Sequence, residues 1–208
     1  MIKYMKYLLI MLTLPFFITN GADLSEFIQK TVDHYDNLQT LSTDFEMIIC
    51  DEMTGTCQKV EGKIYYKRPF AFRLEFHDPD IIYVGDSTVL WIYAPAQKKA
   101  VKQNMESIPW QIQPASFLKE FGTKYSAEEK SSSNVSVTVV LKPIDETDIY
   151  DHIELVIDRA SYMIKSVVIV DKADSERKII FDNLKTNKKI SKSIFDFKPP
   201  AGTQIDEF

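Results

Sequence analysis

Glycine, histidine and cysteine are scarce in this 208-residue chain, at six, three and two residues. With so few glycines there is no loop able to cradle a phosphate. His34, His77 and His152 lie far apart among polar neighbours, and no pair has metal-ligand spacing. They read as surface or rim residues. A nucleophile elbow is also missing: Ser87 in GDSTV lacks the closing glycine of GxSxG. Carboxylates are plentiful, but only Asp196 sits between aromatics, Phe195 and Phe197, and strand parity turns it away from them. Neither an enzyme nor a cofactor is expected. Basic residues are outnumbered, and the formal charge is −5. That argues against nucleic acid or anionic headgroups as a general partner, while leaving room for a local basic patch.

Long apolar runs are absent after the first nineteen residues. Lys3 and Lys6 precede an apolar stretch from Tyr7 to Thr19, interrupted by Pro15 and followed by the small residues Gly21 and Ala22. This is the pattern of a secretory signal peptide over residues 1–21, cleaved after Gly21 or Ala22. A membrane anchor would need about 20 apolar residues. No cysteine lies at the expected cleavage point to carry a lipid. Residues 22–208 then form one exported domain, and loss of Lys3 and Lys6 takes the formal charge from −5 to −7. Cys50 and Cys57 flank a turn, DEMTGT. Their spacing is not CxxC, so a disulfide stapling a hairpin is expected in an exported protein.

Asp23 to Leu41 predicts one long helix, with Asp23 and Glu26 at capping-box spacing. Leu24, Phe27, Ile28, Val32, Tyr35 and Leu38 form its apolar stripe. From Ser42 on, strands dominate. Phe45, Met47 and Ile49 alternate with polar residues. In EGKIYYKRPFAFRLEFHDPD, Ile64, Tyr66 and Arg68 share one face, and after Pro69 so do Phe70, Phe72, Leu74 and Phe76. Arg68 either bends into water at a strand end or stands over an apolar concavity, held by hydrogen bonds. Short strands follow at Asp80–Val84, Thr88–Tyr93 and Lys98–Gln103.

Asn104 to Tyr125 breaks the pattern. It is rich in apolar residues, among them Ile108, Trp110, Ile112, Phe117 and Leu118, and its ASFLKEF segment predicts a short helix. Such a stretch suits a lid or plug over a core. Ser126–Ser133 reads as a flexible turn. Strands resume through Val135–Leu141, Ile153–Ile157, Tyr162–Asp171 and Glu176–Asn183, and Pro199-Pro200-Ala201-Gly202 ends ordered strand. Roughly ten strands, one long helix and a helical insert imply a strongly curved antiparallel sheet. The inward apolar set is either a packed core or the wall of a pocket for acyl chains.

GKIYYKRPFAFRLEF, then LWIYAP, then FDFKPPAGTQID resemble the periplasmic outer-membrane lipoprotein carrier family, LolA. The likeness runs from Asp23 to the C-terminus. It implies an unclosed, strongly curved antiparallel β-barrel, a half-barrel, with an N-terminal helix and a short helical lid over a hydrophobic cavity. It implies a monomeric periplasmic chaperone. Such a chaperone receives acylated lipoproteins from an inner-membrane ABC transporter and passes them to an outer-membrane receptor. In the family the arginine of the KRP motif ties the lid to main-chain carbonyls, which places that role on Arg68. Phe72 falls at the cavity lip, and Ile28 at an apolar cavity position. Phe45, Met47, Tyr66, Phe70, Leu74, Trp110 and Phe117 complete the expected cavity set. The alternative is a periplasmic lipid- or peptide-sensing regulatory module of the same fold. The cysteine hairpin and Gly85-Asp86-Ser87 depart from the family pattern.

Overall fold

The computed structural model describes residues 21–51, 54–105, 109 and 111–208. The expected signal peptide, Ile108 and Trp110 lie outside the described residues, apart from Gly21. Twelve strands form one sheet: β1 Thr40–Asp51, β2 Thr56–Lys67, β3 Ala71–His77, β4 Asp80–Gly85, β5 Val89–Ala94, β6 Lys99–Asn104, β7 Tyr125–Ser132, β8 Ser136–Pro143, β9 Tyr150–Asp158, β10 Ile164–Asp171, β11 Glu176–Thr186 and β12 Gln204–Glu207. Their order is β12-β6-β5-β4-β3-β2-β1-β11-β10-β9-β8-β7, so β7 and β12 are the two edge strands among the described residues. The sheet is open and curved. All pairs are antiparallel except β12 with β6.

Among the described residues two α-helices accompany it, α1 Gly21–Asn37 and α2 Ser116–Lys119, besides two single 3-10 turns. α1 lies on the concave side. Phe27 meets Tyr162 at 5.5 Å between ring centroids, and Ile28 and Val32 join the core. The buried Ile164 N–H donates to Tyr35 Oη at 3.1 Å. This fixes the helix against the start of β10 and replaces a ladder bond the strand end lacks. Burial pushes the Tyr35 phenol well above its ordinary pKa. Tyr35→Phe is expected to leave that N–H unsatisfied and to lower unfolding stability by about 1–2 kcal/mol, read from the urea midpoint.

Several sequence expectations need correction. The helix ends at Asn37 rather than Leu41, and Leu41 is buried as a β1 residue. The three- and four-residue spacing of Leu38 and Leu41 imitated another helical turn. Asp23 is no cap: it stands inside the first turn, where a negative charge suits the helix dipole, and Glu26 pairs with Lys30 at 2.7 Å. Ser126–Ser133 is not a turn but β7. Its polar sequence, YSAEEKSS, suits an edge strand, where charge discourages further pairing. Strand also continues past Pro-Pro-Ala-Gly, as β12. The strand count is therefore twelve rather than about ten.

The final segment wraps the convex side before adding β12. Phe197 packs on Trp91 at 5.7 Å and on Tyr93 at 5.4 Å. At the turn end of the β1–β2 hairpin, Cys50 and Cys57 face each other and are joined by a disulfide, with Cα atoms 4.1 Å apart. Closing so short a loop stabilises by about 2.5 kcal/mol in the chain-entropy account. Cys50→Ala with Cys57→Ala is expected to lower the unfolding free energy by about that amount, checked by urea titration with and without reductant.

Candidate functional site

Register decides which side chains meet on the concave face. Phe45 and Met47 stand beside Ile179 and Phe181 of β11 and Gly62 of β2. Ile64 and Tyr66 stand opposite Leu74 and Phe72, and Phe72 stands opposite Gly85. The two glycines are required by close approach. A Cβ at Gly62 would lie 2.0 Å from the Glu75 carbonyl and 2.5 Å from the Phe45 ring. One at Gly85 would lie 2.3 Å from the Phe72 ring. Each ring therefore rests on the bare backbone of the next strand.

The concave face has two unlike halves. Over β8 to β11, Val139, Leu141, Ile153, Leu155, Ile157, Val167 and Ile179 are completely buried, sealed by α1 and α2. This half is solid core. Over β3 to β6, Phe76, Ile81, Tyr83, Leu90, Ile92 and Val101 stay only half-buried. An apolar strip of partly open surface thus continues directly from packed core. A hollow of about 450 Å³ opens at the strand ends near Tyr150, Ile169 and Arg177, and none of the expected site residues lines it.

The structure gathers most of the expected set. Ile28, Phe45, Met47, Tyr66, Phe72, Leu74 and Phe117 are all buried in one cluster. Phe72 is fully enclosed rather than on a lip. Phe117 meets Tyr125 and Tyr150 edge-on at 6.4 and 6.5 Å. Phe70 does not belong: it is 47% exposed, in the turn before β3 begins at Ala71. The alternation of a strand does not carry through a turn.

Arg68 also lies just past its strand and is exposed. Its main-chain N–H donates to Gln39 O at 2.9 Å. Its Nη1 donates to the Asp36 carbonyl in the last turn of α1. The Asp36 carboxylate in turn pairs with Lys119 of α2 at 2.5 Å. One residue therefore joins α1, α2 and the β2–β3 turn. Tyr66 supports the turn by donating its hydroxyl to Pro69 O at 3.1 Å, and burial raises its pKa. Sequence reading missed Asp36, Lys119 and both glycine seats, because each depends on pairing between distant segments. No cluster of His, Cys, Asp or Glu suited to a metal occurs among the described residues.

A single open, curved sheet, apolar on its concave side and partly covered by helices, defines the fold class. An uncharacterized conserved protein from Thermus thermophilus shares this fold, with a TM-score of 0.62 at 12% identity over 89% of this chain and 99% of that one. The chain belongs to the LolA family: the family model for outer membrane lipoprotein carrier protein LolA matches residues 36–198. It is 24% identical over 183 residues to an outer-membrane lipoprotein carrier protein of Azotobacter vinelandii, covering 86% of each chain. It is 26% identical over 191 residues to one of Haemophilus influenzae, covering 89% of this chain and 88% of that protein.

Proposed function

We propose that this protein is a periplasmic carrier that shields the acyl chains of outer-membrane lipoproteins. In that role it accepts cargo from an inner-membrane ABC transporter and yields it to an outer-membrane receptor. It works as a monomer and catalyses no reaction. The observation that carries this reading is the unequal concave face, in which half-buried apolar surface over β3 to β6 adjoins a solid core and a helical cover. The basic-then-apolar N-terminal segment supports export.

The physical need is clear. Each acyl CH₂ returned to water costs about 0.8 kcal/mol, so a lipidated anchor cannot cross an aqueous compartment unshielded. The carrier must also let go. A cover that has to be unfastened before loading subtracts its fastening energy from cargo affinity. Asp36 provides such a fastening, through Arg68 on one side and Lys119 on the other.

Native mass spectrometry of protein purified from its periplasm tests the reading. The expected result is a bound triacylated polypeptide or lipid, displaced by a fluorescent fatty acyl probe. Failure to bind either cargo or probe would overturn it.

A further inference from the structure

The segment from Lys185 to Lys198 holds five lysines and a single carboxylate, Asp196, in a chain whose formal charge is −5. The fold carries part of this segment to the end of the sheet where Arg68 lies. Thr40 pairs with Lys67. Thr40 Oγ1 donates to the Lys188 carbonyl at 2.7 Å, and Asn187 N–H donates to Thr40 O at 2.8 Å. The chain then passes Lys189 and Lys192 and reaches Arg73, whose guanidinium lies 3.5 Å from the Ile194 carbonyl. Lys67, Arg68, Lys188, Lys189 and Lys192 thus border one rim.

Among the described residues none of these five cations has a carboxylate partner. The nearby acids are already engaged: Asp36 with Lys119, Asp44 with Lys63, and Glu75 with Arg73. Lys185 differs, since it adds to the field that lowers the Asp44 pKa, behind Asn183 and Lys63. At the tip of the same rim stands Phe70, 47% exposed. Pro69 beside it is exposed as well.

We propose that this rim docks the protein on an anionic phospholipid surface. Cations without carboxylate partners around one exposed aromatic are the elements of interfacial binding: the charges sense the surface potential and the ring enters the headgroup layer. The rest of the chain is acidic and is repelled by such a surface, so approach is favoured with this end first. The cover fastening at Arg68 lies on the same rim, which would bring the cover to the membrane. Docking of this kind serves a lipid carrier, and to that extent rests on the carrier reading.

The test is flotation of the mature chain with phosphatidylglycerol–phosphatidylcholine vesicles and with pure phosphatidylcholine vesicles. Binding is expected to the first and not the second, and to fall as salt rises. Each basic residue near such a surface is worth about fivefold in affinity. K188E/K189E/K192E is therefore expected to lose at least about 100-fold, and Phe70→Ser a smaller factor. Uptake of a fluorescent acyl probe in solution should be unchanged in the lysine variant, whose residues lie off the concave face. Wild-type protein that takes up the probe but ignores anionic vesicles would overturn docking while leaving the carrier reading intact. Vesicle binding without probe uptake would do the reverse. Undiminished binding by the triple variant, or binding to an acidic protein in place of vesicles, would also overturn the proposal.

Discussion

Arg68→Leu is expected to leave cargo loading intact and to stop delivery. The guanidinium donates to a neutral carbonyl at the end of α1, and leucine cannot replace that bond. Hydrogen bonds from charged groups contribute about 1.5–3 kcal/mol. If opening the cover no longer costs that amount, cargo affinity rises by roughly 10- to 100-fold and the off-rate falls in proportion. Acyl-probe dissociation rates and transfer to receptor-bearing vesicles would measure it. Arg68→Lys provides the control. A single N–H of the side chain reaches Asp36 O, and a lysine ammonium can donate to the same oxygen. Partial recovery of release with lysine, and none with leucine, is the expected pattern. Release at the wild-type rate by the leucine variant would remove Arg68 from the mechanism.

Gly62→Ala is expected to be the most destabilising single-methyl change. The added carbon would meet a backbone oxygen of β3 at 2.0 Å as well as the Phe45 ring. A ring can turn, but a carbonyl inside a ladder moves only with its strand. Overpacking costs about 1–3 kcal/mol, and a backbone clash belongs at or above the top of that range. Gly85→Ala should cost less, because its near contacts are side-chain atoms, the Phe72 ring and the Met105 sulfur. Pairing each with a smaller neighbour separates the causes. Phe72→Leu should recover part of the Gly85→Ala loss, whereas Phe45→Leu should recover little of the Gly62→Ala loss. Urea midpoints of the single and double variants give the comparison.

How far the sequence could be read depended on the range of the information. Alternation along Phe45–Ile49 and Phe72–Phe76 placed inward residues correctly, because a strand's period of two is local. The three- and four-residue steps of Leu24, Phe27, Ile28 and Val32 located α1 for the same reason. Boundaries failed where one pattern imitated another, as Leu38 and Leu41 did beyond Asn37. Phe70 failed because parity was carried through a turn. β7 was missed because an edge strand needs few apolar residues, and β12 because its partner, β6, lies about a hundred residues earlier. The meeting of Arg68, Asp36 and Lys119 brings together a turn and two helices, and no short motif encodes such a junction. The family likeness pointed to a carbonyl partner for Arg68. Only the fold identified the donor's target as Asp36 of α1.

The two edge strands, β7 and β12, are not joined to each other among the described residues, and this bears on what the interior can hold. A closed barrel is a hoop: its girth is fixed by strand number and shear, and widening it breaks ladder bonds. This sheet has no such seam. Its curvature can relax by small changes in twist between neighbouring strands, with every ladder bond kept. The same domain can therefore be expected to admit guests of different bulk, gripping slim ones and spreading for stout ones like an unfastened cuff.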